Sequence, residues 1–257
     1  MKYLSVVEAR SMTGLRLVLS AGVPGPWGEA AKAVLKARNV SYAPVAQKVM
    51  AANEELCAWT GMRNAPIAIY NDEPPLAGWL DILMLAERLG SGPSLLPDSS
   101  TERALGVGFS VEICGQDGFG WNRRLSMMKM VWTVESPDDA EPHLREYTRQ
   151  YGLSPQASAR APARSADILR ALAAQLHAQR ARGSEYLVGA RLGAADLYWA
   201  CFSQMVGPLP KEVNPMPDYV WRLYSQSPAE VTAALDPILF EHRDRIYQRH
   251  IGLPLDY

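Results

Sequence analysis

The sequence predicts an α/β unit followed by an all-helical one, and three observations carry that expectation. Near the start, LRLVLSAGVPGPWGEAAKAVLKARN (15–39) reads as a buried strand, a Gly/Pro turn and an amphipathic helix. A Gly-, Pro- and Ser-rich run, GSGPSLLPDSS (90–100), marks a linker. Beyond it the apolar spacing is helical. The expected units are therefore 1–90, α/β, and 101–257, all-α, with 91–100 joining them.

Met1 to Gly14 is a lead-in without strong periodicity. Leu15 to Leu19 is the first strand, and Pro26 takes the first helical position, where a missing N–H costs nothing. Glu29 lies in the first turn of that helix, and Ala30, Ala33, Val34 and Ala37 form its apolar stripe. Backbone N–H groups at Trp27, Gly28 and Glu29 would point out of the helix start toward an anion or thiolate. The same stretch also reads as an ordinary strand-to-helix connection. VSYAPV (40–45) has strand content, with Pro44 placing it at an edge. A short helix over 51–60, a strand over 63–70, a turn at NDEPP (71–75) and a helix over 79–89 complete the first unit. In the second, helical spacing over 101–134 is broken by Gly115, Gly118 and Gly120, giving one bent helix or two. Residues 136–165 read as an inserted loop with a short helix at 144–151. Helices follow at 166–182 and 194–206, with two more between 218 and 250.

The chain has 257 residues, a net charge of -1 and 21% charged residues, so it can bury a sizeable core and has no nucleic-acid footprint. Cys57, Cys114 and Cys201 stand far apart, which suggests neither a disulfide framework nor a zinc site and fits a reducing, cytoplasmic setting. No run approaches the roughly 18 apolar residues of a membrane span. His143, His177, His242 and His250 lack metal-ligand spacing, His177 is expected to be exposed, and there is no nucleotide-binding glycine motif.

Three segments resemble the cytosolic glutathione S-transferases. GPWGEAAKAVL (25–35) looks like the family's first helix, NAPIAIY (64–70) like its cis-proline segment with Pro66, and YLVGARLGAADLYWA (186–200) like the motif opening its buried helix, with Asp196 as the N3 carboxylate. The resemblance implies a thioredoxin-like N-terminal domain with an all-α C-terminal domain, a homodimer, and glutathione as co-substrate with no metal. It implies a cis Ala65-Pro66 bond and a glutathione site at Gly25, Trp27, Gly28, Arg63, Asn64, Ala65, Pro66, Gly78 and Trp79.

Two departures bear on activity. Where the family places a Ser, Cys or Tyr against the glutathione sulfur, this chain has Gly25-Pro26-Trp27-Gly28, so thiol-exchange chemistry at that position is not expected. A helix terminus contributes only about 0.3 to 1 kcal/mol, too little to lower a thiol pKa by one. Ser20, the Trp27 indole or a tyrosine from elsewhere would have to supply the rest. Second, Gly78 and Trp79 replace the acid and serine that hold the glutamyl moiety, and Asp81, Arg63 or Gln47 are the available substitutes, although Arg63 reads more readily as a solvated surface charge. The second-substrate cleft is expected at Phe109, Trp121, Arg124 and Met128, with Arg123, Met127, Met130 and Trp132 nearby, and residues 136–165 either as its lid or as a variable insertion only. The same aromatic and Met residues at helical spacing also read as core. A glutathione-dependent transferase or lyase acting on a small apolar or aromatic electrophile is the leading expectation; a non-catalytic binding protein of the same fold is the alternative.

Overall fold

The computed structural model describes residues 1–131 and 142–257. Its sheet has three strands, β1 (Leu15–Ser20), β2 (Ala43–Gln47) and β3 (Ile67–Tyr70), in the order β2-β1-β3. β2 runs parallel and β3 antiparallel to β1. Single bridges extend it, Leu4 to Val45 and Ala68 to Leu76. Pro44 thus lies on an edge strand, where its missing N–H is tolerated.

Alternation along β1 builds two cores. Leu15, Leu17 and Leu19 face the main core, with α2 (Pro26–Ala37), α4 (Trp79–Leu89) and the helices that follow. Val18 faces the other way, into a smaller core with Ala9, Val45, Leu56, Ile67 and Ile69, covered by α1 (Val6–Arg10) and α3 (Glu54–Thr60). The lead-in therefore holds a short helix that apolar spacing did not predict. Its signal is the box in which Ser5 and Glu8 cap each other's backbone N–H.

The helical part is arranged around α9 (Ala194–Ser203), all ten residues of which are buried. It packs on α2, on α5 (Ser100–Cys114) and on α12 (Pro237–Ile246). The Trp199 indole donates to the Leu239 carbonyl at 2.9 Å, which satisfies the polar edge of a fully buried ring. Asp196 is the N3 carboxylate of α9: it accepts from the Gly193 and Leu187 N–H groups at 2.8 and 2.7 Å. It also meets His242 Nε2 at 2.8 Å, a partner the motif alone did not reveal.

Residues 101–131 form two helices, α5 and α6 (Phe119–Val131), separated at Gly115–Gly118. The short helix expected at 144–151 is α7 (Pro142–Gln150), and the loop expected to follow it up to residue 165 is corrected: α8 (Pro155–Ala181) starts eleven residues earlier than the apolar spacing indicated. The buried face of its first turns is Ser158, Ala161 and Ser165, small residues packed toward α6, so no hydrophobic stripe announces it. Residues 132–141, including Trp132 and part of the expected lid, lie outside the described residues, as does the Met130 side chain. α10 (Asp218–Ser225) and α11 (Ala229–Thr232) precede α12, which runs into a π-helical turn at Tyr247–Ile251. No helix among the described residues is long and apolar enough to cross a membrane.

Candidate functional site

Strand pairing brings the expected glutathione residues to one end of the sheet. Ser20 pairs with Gln47 across β1 and β2. Continuing the β1–β3 register from Val18 and Ile67 sets Ala65 beside Ser20, and continuing the Ala68–Leu76 pairing sets Gly78 beside Pro66. The Ala65-Pro66 bond is cis, as the resemblance implies. Gln47 stitches the row: its Oε1 accepts from the Ser20 hydroxyl at 3.0 Å, and its Nε2 donates to the Arg63 carbonyl at 3.2 Å.

An open pocket lies over this row. Ser20, Gly25, Pro26, Arg63, Asn64 and Ala65 line it together with Gln47. The start of α2 forms one wall, because Gly25 is its N-cap in extended conformation and has no side chain to satisfy the first N–H groups. The helix therefore presents donors to whatever sits there. The far walls come from Arg124 on α6, Tyr151 just beyond α7, and Tyr224 on α10. Neither tyrosine carried a local sequence signal; each arrives from far down the chain through packing of the helices.

Several expected residues take other places. The Trp27 indole N–H donates to the Cys114 carbonyl at 2.9 Å, and the ring packs edge-on to Phe202 at 4.7 Å, so it is committed inside the fold rather than aimed at a sulfur. Ser20 spends its proton on Gln47. The Trp79 ring packs against Tyr198 at 5.6 Å. Trp27, Pro66 and Trp79 do converge, but on an apolar void of about 10 Å³, room for one water at most. Gly78 caps α4, and a Cβ there would meet the Asp81 carboxylate at 2.4 Å; Asp81 thus occupies the space a side chain at 78 would take.

Of the expected second-substrate residues that are described, Arg124 alone lines the pocket. Met128 belongs to a packed cluster with Leu125, Tyr151 and Ala161, against which Trp121 packs half-buried, and Met127 lies in the main core, against which Phe109 packs half-buried. The adjacent arginines divide the work. Arg123 is fully buried and donates to the Met205 and Gln226 carbonyls, its pKa lowered to about 10 by burial, so it is structural.

Burial also sorts the titratable groups. Cys114 and Cys201 are sealed in the core, which pushes both thiols well above their ordinary range, while Cys57 is half-exposed. Among the described residues no group of three His, Cys, Asp or Glu side chains stands ready to hold a metal. His177 on α8 is exposed and meets Asp236 at 3.0 Å.

No protein-family model matches the chain, and no curated protein matches it in sequence. Solved structures do. A glutathione transferase family member from Pseudomonas fluorescens, with two glutathione bound, is 15% identical with a TM-score of 0.63, covering 96% of this chain and 95% of that one. A glutathione S-transferase from Methylobacterium radiotolerans, in complex with glutathione sulfonate, is 14% identical with a TM-score of 0.61, covering 95% and 97%. Glutathione transferase Omega 3C from Trametes versicolor is 14% identical with a TM-score of 0.58, covering 96% and 90%. This chain has their fold, a thioredoxin-like unit joined to a helical one.

Proposed function

We propose that this protein is a glutathione transferase-like enzyme that binds glutathione along the sheet-end row and presents its sulfur at the start of α2 to a small apolar or aromatic electrophile. The observation that supports this most is the convergence of an uncapped helix N-terminus with the Ala65-Pro66 segment on one open pocket. The Trp27 and Gly28 N–H groups hold the thiolate, the Ala65 backbone pairs with the cysteinyl unit, and Arg63 and Asn64 take polar ends of the tripeptide. The start of α4 at Gly78 and Trp79 offers backbone N–H groups to a carboxylate, and the Asp81 carboxylate beside it suits an ammonium. Hydroxyl donation to the sulfur comes from Tyr151, Tyr224 or a reoriented Ser20. No metal is required. The enzyme is a cytoplasmic homodimer, its contact formed through the outward face of α4, where Leu80 and Met84 stand exposed one turn apart.

One set of observations favours a second reading, a binding protein that keeps the fold without the chemistry. Gly25 carries no hydroxyl, Ser20 and Trp27 have spent their protons within the fold, and the residues at 78 and 79 offer no carboxylate or hydroxyl. A thermal melt with glutathione titrated to about a hundred times its dissociation constant separates the outcomes, since binding at that excess adds about 2.7 kcal/mol. The transferase reading expects a saturable rise and a bound thiol that ionises below its free pKa, read by thiolate ultraviolet absorbance. A flat melt sinks it. A saturable rise with an unshifted thiol leaves the binding-protein reading.

A further inference from the structure

A second cleft lies along α2, apart from the pocket at its start. Its volume is about 800 Å³, and it shares no lining residue with the pocket at Gly25. One wall is α2 with the turn that follows it, and the other is formed by residues 251–256. α2 closes with Asn39 in the left-handed region, φ 57°, and with the Val40 N–H donating to the Leu35 carbonyl at 2.8 Å. That closure brings Asn39, Ser41 and Tyr42 to the same cleft as Lys32 and Lys36.

The cleft has more donors than its own acceptors use. Lys32 and Lys36 stand one turn apart on a single face of α2. Among the described residues the Lys36 ammonium has one partner, the neutral Ile251 carbonyl at 2.6 Å. Lys32, 9% exposed, donates to the Asp256 carbonyl at 2.6 Å and meets Glu29 at 2.7 Å, which leaves a third N–H. The Asn39 amide and the Ser41 and Tyr42 hydroxyls make no hydrogen bond among the described residues. Burial pushes the pKa of the Tyr42 hydroxyl up, so it keeps its proton and stays a donor.

The two carboxylates on the lining oppose an anion only weakly. Asp256 pairs with the Met1 ammonium. Glu29 is buried, which raises its pKa to about 7, so at neutral pH it carries only part of its charge. The C-terminal end of a helix also disfavours an anion, by less than about tenfold. One charge-assisted hydrogen bond supplies about tenfold or more, and two ammonium groups are present, so the lysines set the sign.

We infer that this cleft is a site for a phosphate group, free or carried as a monoester, whose oxygens bridge the Lys32 and Lys36 ammonium groups and accept from the Ser41 and Tyr42 hydroxyls. A phosphate monoester carries more charge than a carboxylate and three acceptor oxygens against two, which suits donors arriving from both α2 and its closing turn. Leu253 and Leu255, half-buried on the facing wall, offer an apolar surface to the organic part of an ester. The inference does not depend on what the pocket at the start of α2 binds.

Calorimetric titration of inorganic phosphate and of phenyl phosphate tests it, with phenol as the neutral control, on the wild-type protein with and without saturating glutathione. Phenyl phosphate is expected to bind about tenfold tighter than phenol or more, with an affinity that falls as ionic strength rises and is unchanged by glutathione. Lys36→Gln should weaken it by about tenfold. Ser41 is exposed, so Ser41→Ala supplies a second variant that leaves the fold untouched and should weaken binding severalfold. Tighter binding of the ester than of inorganic phosphate marks a monoester as the ligand, and equal binding marks the free anion; both support the site. Binding of neither phosphate, phenol binding as tightly as phenyl phosphate, phosphate binding that survives both substitutions, or its displacement by glutathione overturns the inference.

Discussion

Glu29 is 6% exposed, with one carboxylate oxygen 2.7 Å from the Lys32 ammonium and the other without a partner. Burial works against its charge more strongly than Lys32 supports it, and the pKa rises to about 7. An acid whose folded pKa exceeds its unfolded value binds an extra proton in the native state between the two. Stability is then full below about pH 4.5 and falls as pH rises toward 7. A tenfold difference in proton affinity between the folded and unfolded chain corresponds to about 1.4 kcal/mol. Melts of wild type and Glu29→Gln across this window should diverge by about 3 kcal/mol, the wild type losing stability with pH and the variant staying flat. At Trp27 the expectation is a separation of roles. Trp27→Phe should cost about 1 kcal/mol, the worth of its bond to the Cys114 carbonyl, and leave glutathione affinity unchanged. A loss of thiol binding in that variant would return the indole to the site. Asp196 carries more. Asp196→Ala strands two backbone N–H groups and leaves His242 buried without a partner, and should destabilise by about 3 to 5 kcal/mol in a denaturant melt.

Between α6 and α9 the decisive contact is one without a side chain. A Cβ at Gly120 would stand 2.2 Å from the Phe202 ring and 3.1 Å from that of Trp27. Gly120→Ala would gain up to about 1 kcal/mol in helix propensity, but overpacking against rings costs about 1 to 3 kcal/mol. The net effect should be destabilising, read as a lower midpoint for Gly120→Ala than for wild type in a denaturant melt. Elements with a strong local code were legible: β1, the Pro26 start of α2, and α4 over 79–89. Elements whose buried face is small residues were not. The first turns of α8 hide behind Ser158, Ala161 and Ser165, and α1 is too short for periodicity to register. The row at the sheet end, where the glutathione site is proposed, could be placed from sequence because its parts are local glycine and proline segments. Tyr151 and Tyr224 were not, since nothing near them in sequence speaks of α2, and the packing of Trp121 and Met128 follows from α8 and the turn before it lying over them.

At the scale of the whole molecule, the exposed pair Leu80 and Met84 tests assembly: the double change to Arg should convert a dimer to a monomer by sedimentation while leaving the fold intact. Gln47 ties two of the segments at the sheet end, through the Ser20 hydroxyl and the Arg63 carbonyl, so a tripeptide bound as proposed would add contacts to a row already held by the strands. The cysteines give this a practical side. Cys114 and Cys201 are shut inside the core, and Cys57 on α3 lies half-exposed with its thiol 3.6 Å from the Ala52 carbonyl, in the turn that flanks the pocket mouth. An alkylating dye would therefore mark a single place, beside the turn that carries Val49, Met50 and Ala51 to the pocket, and the protein comes with its own attachment point for watching that pocket.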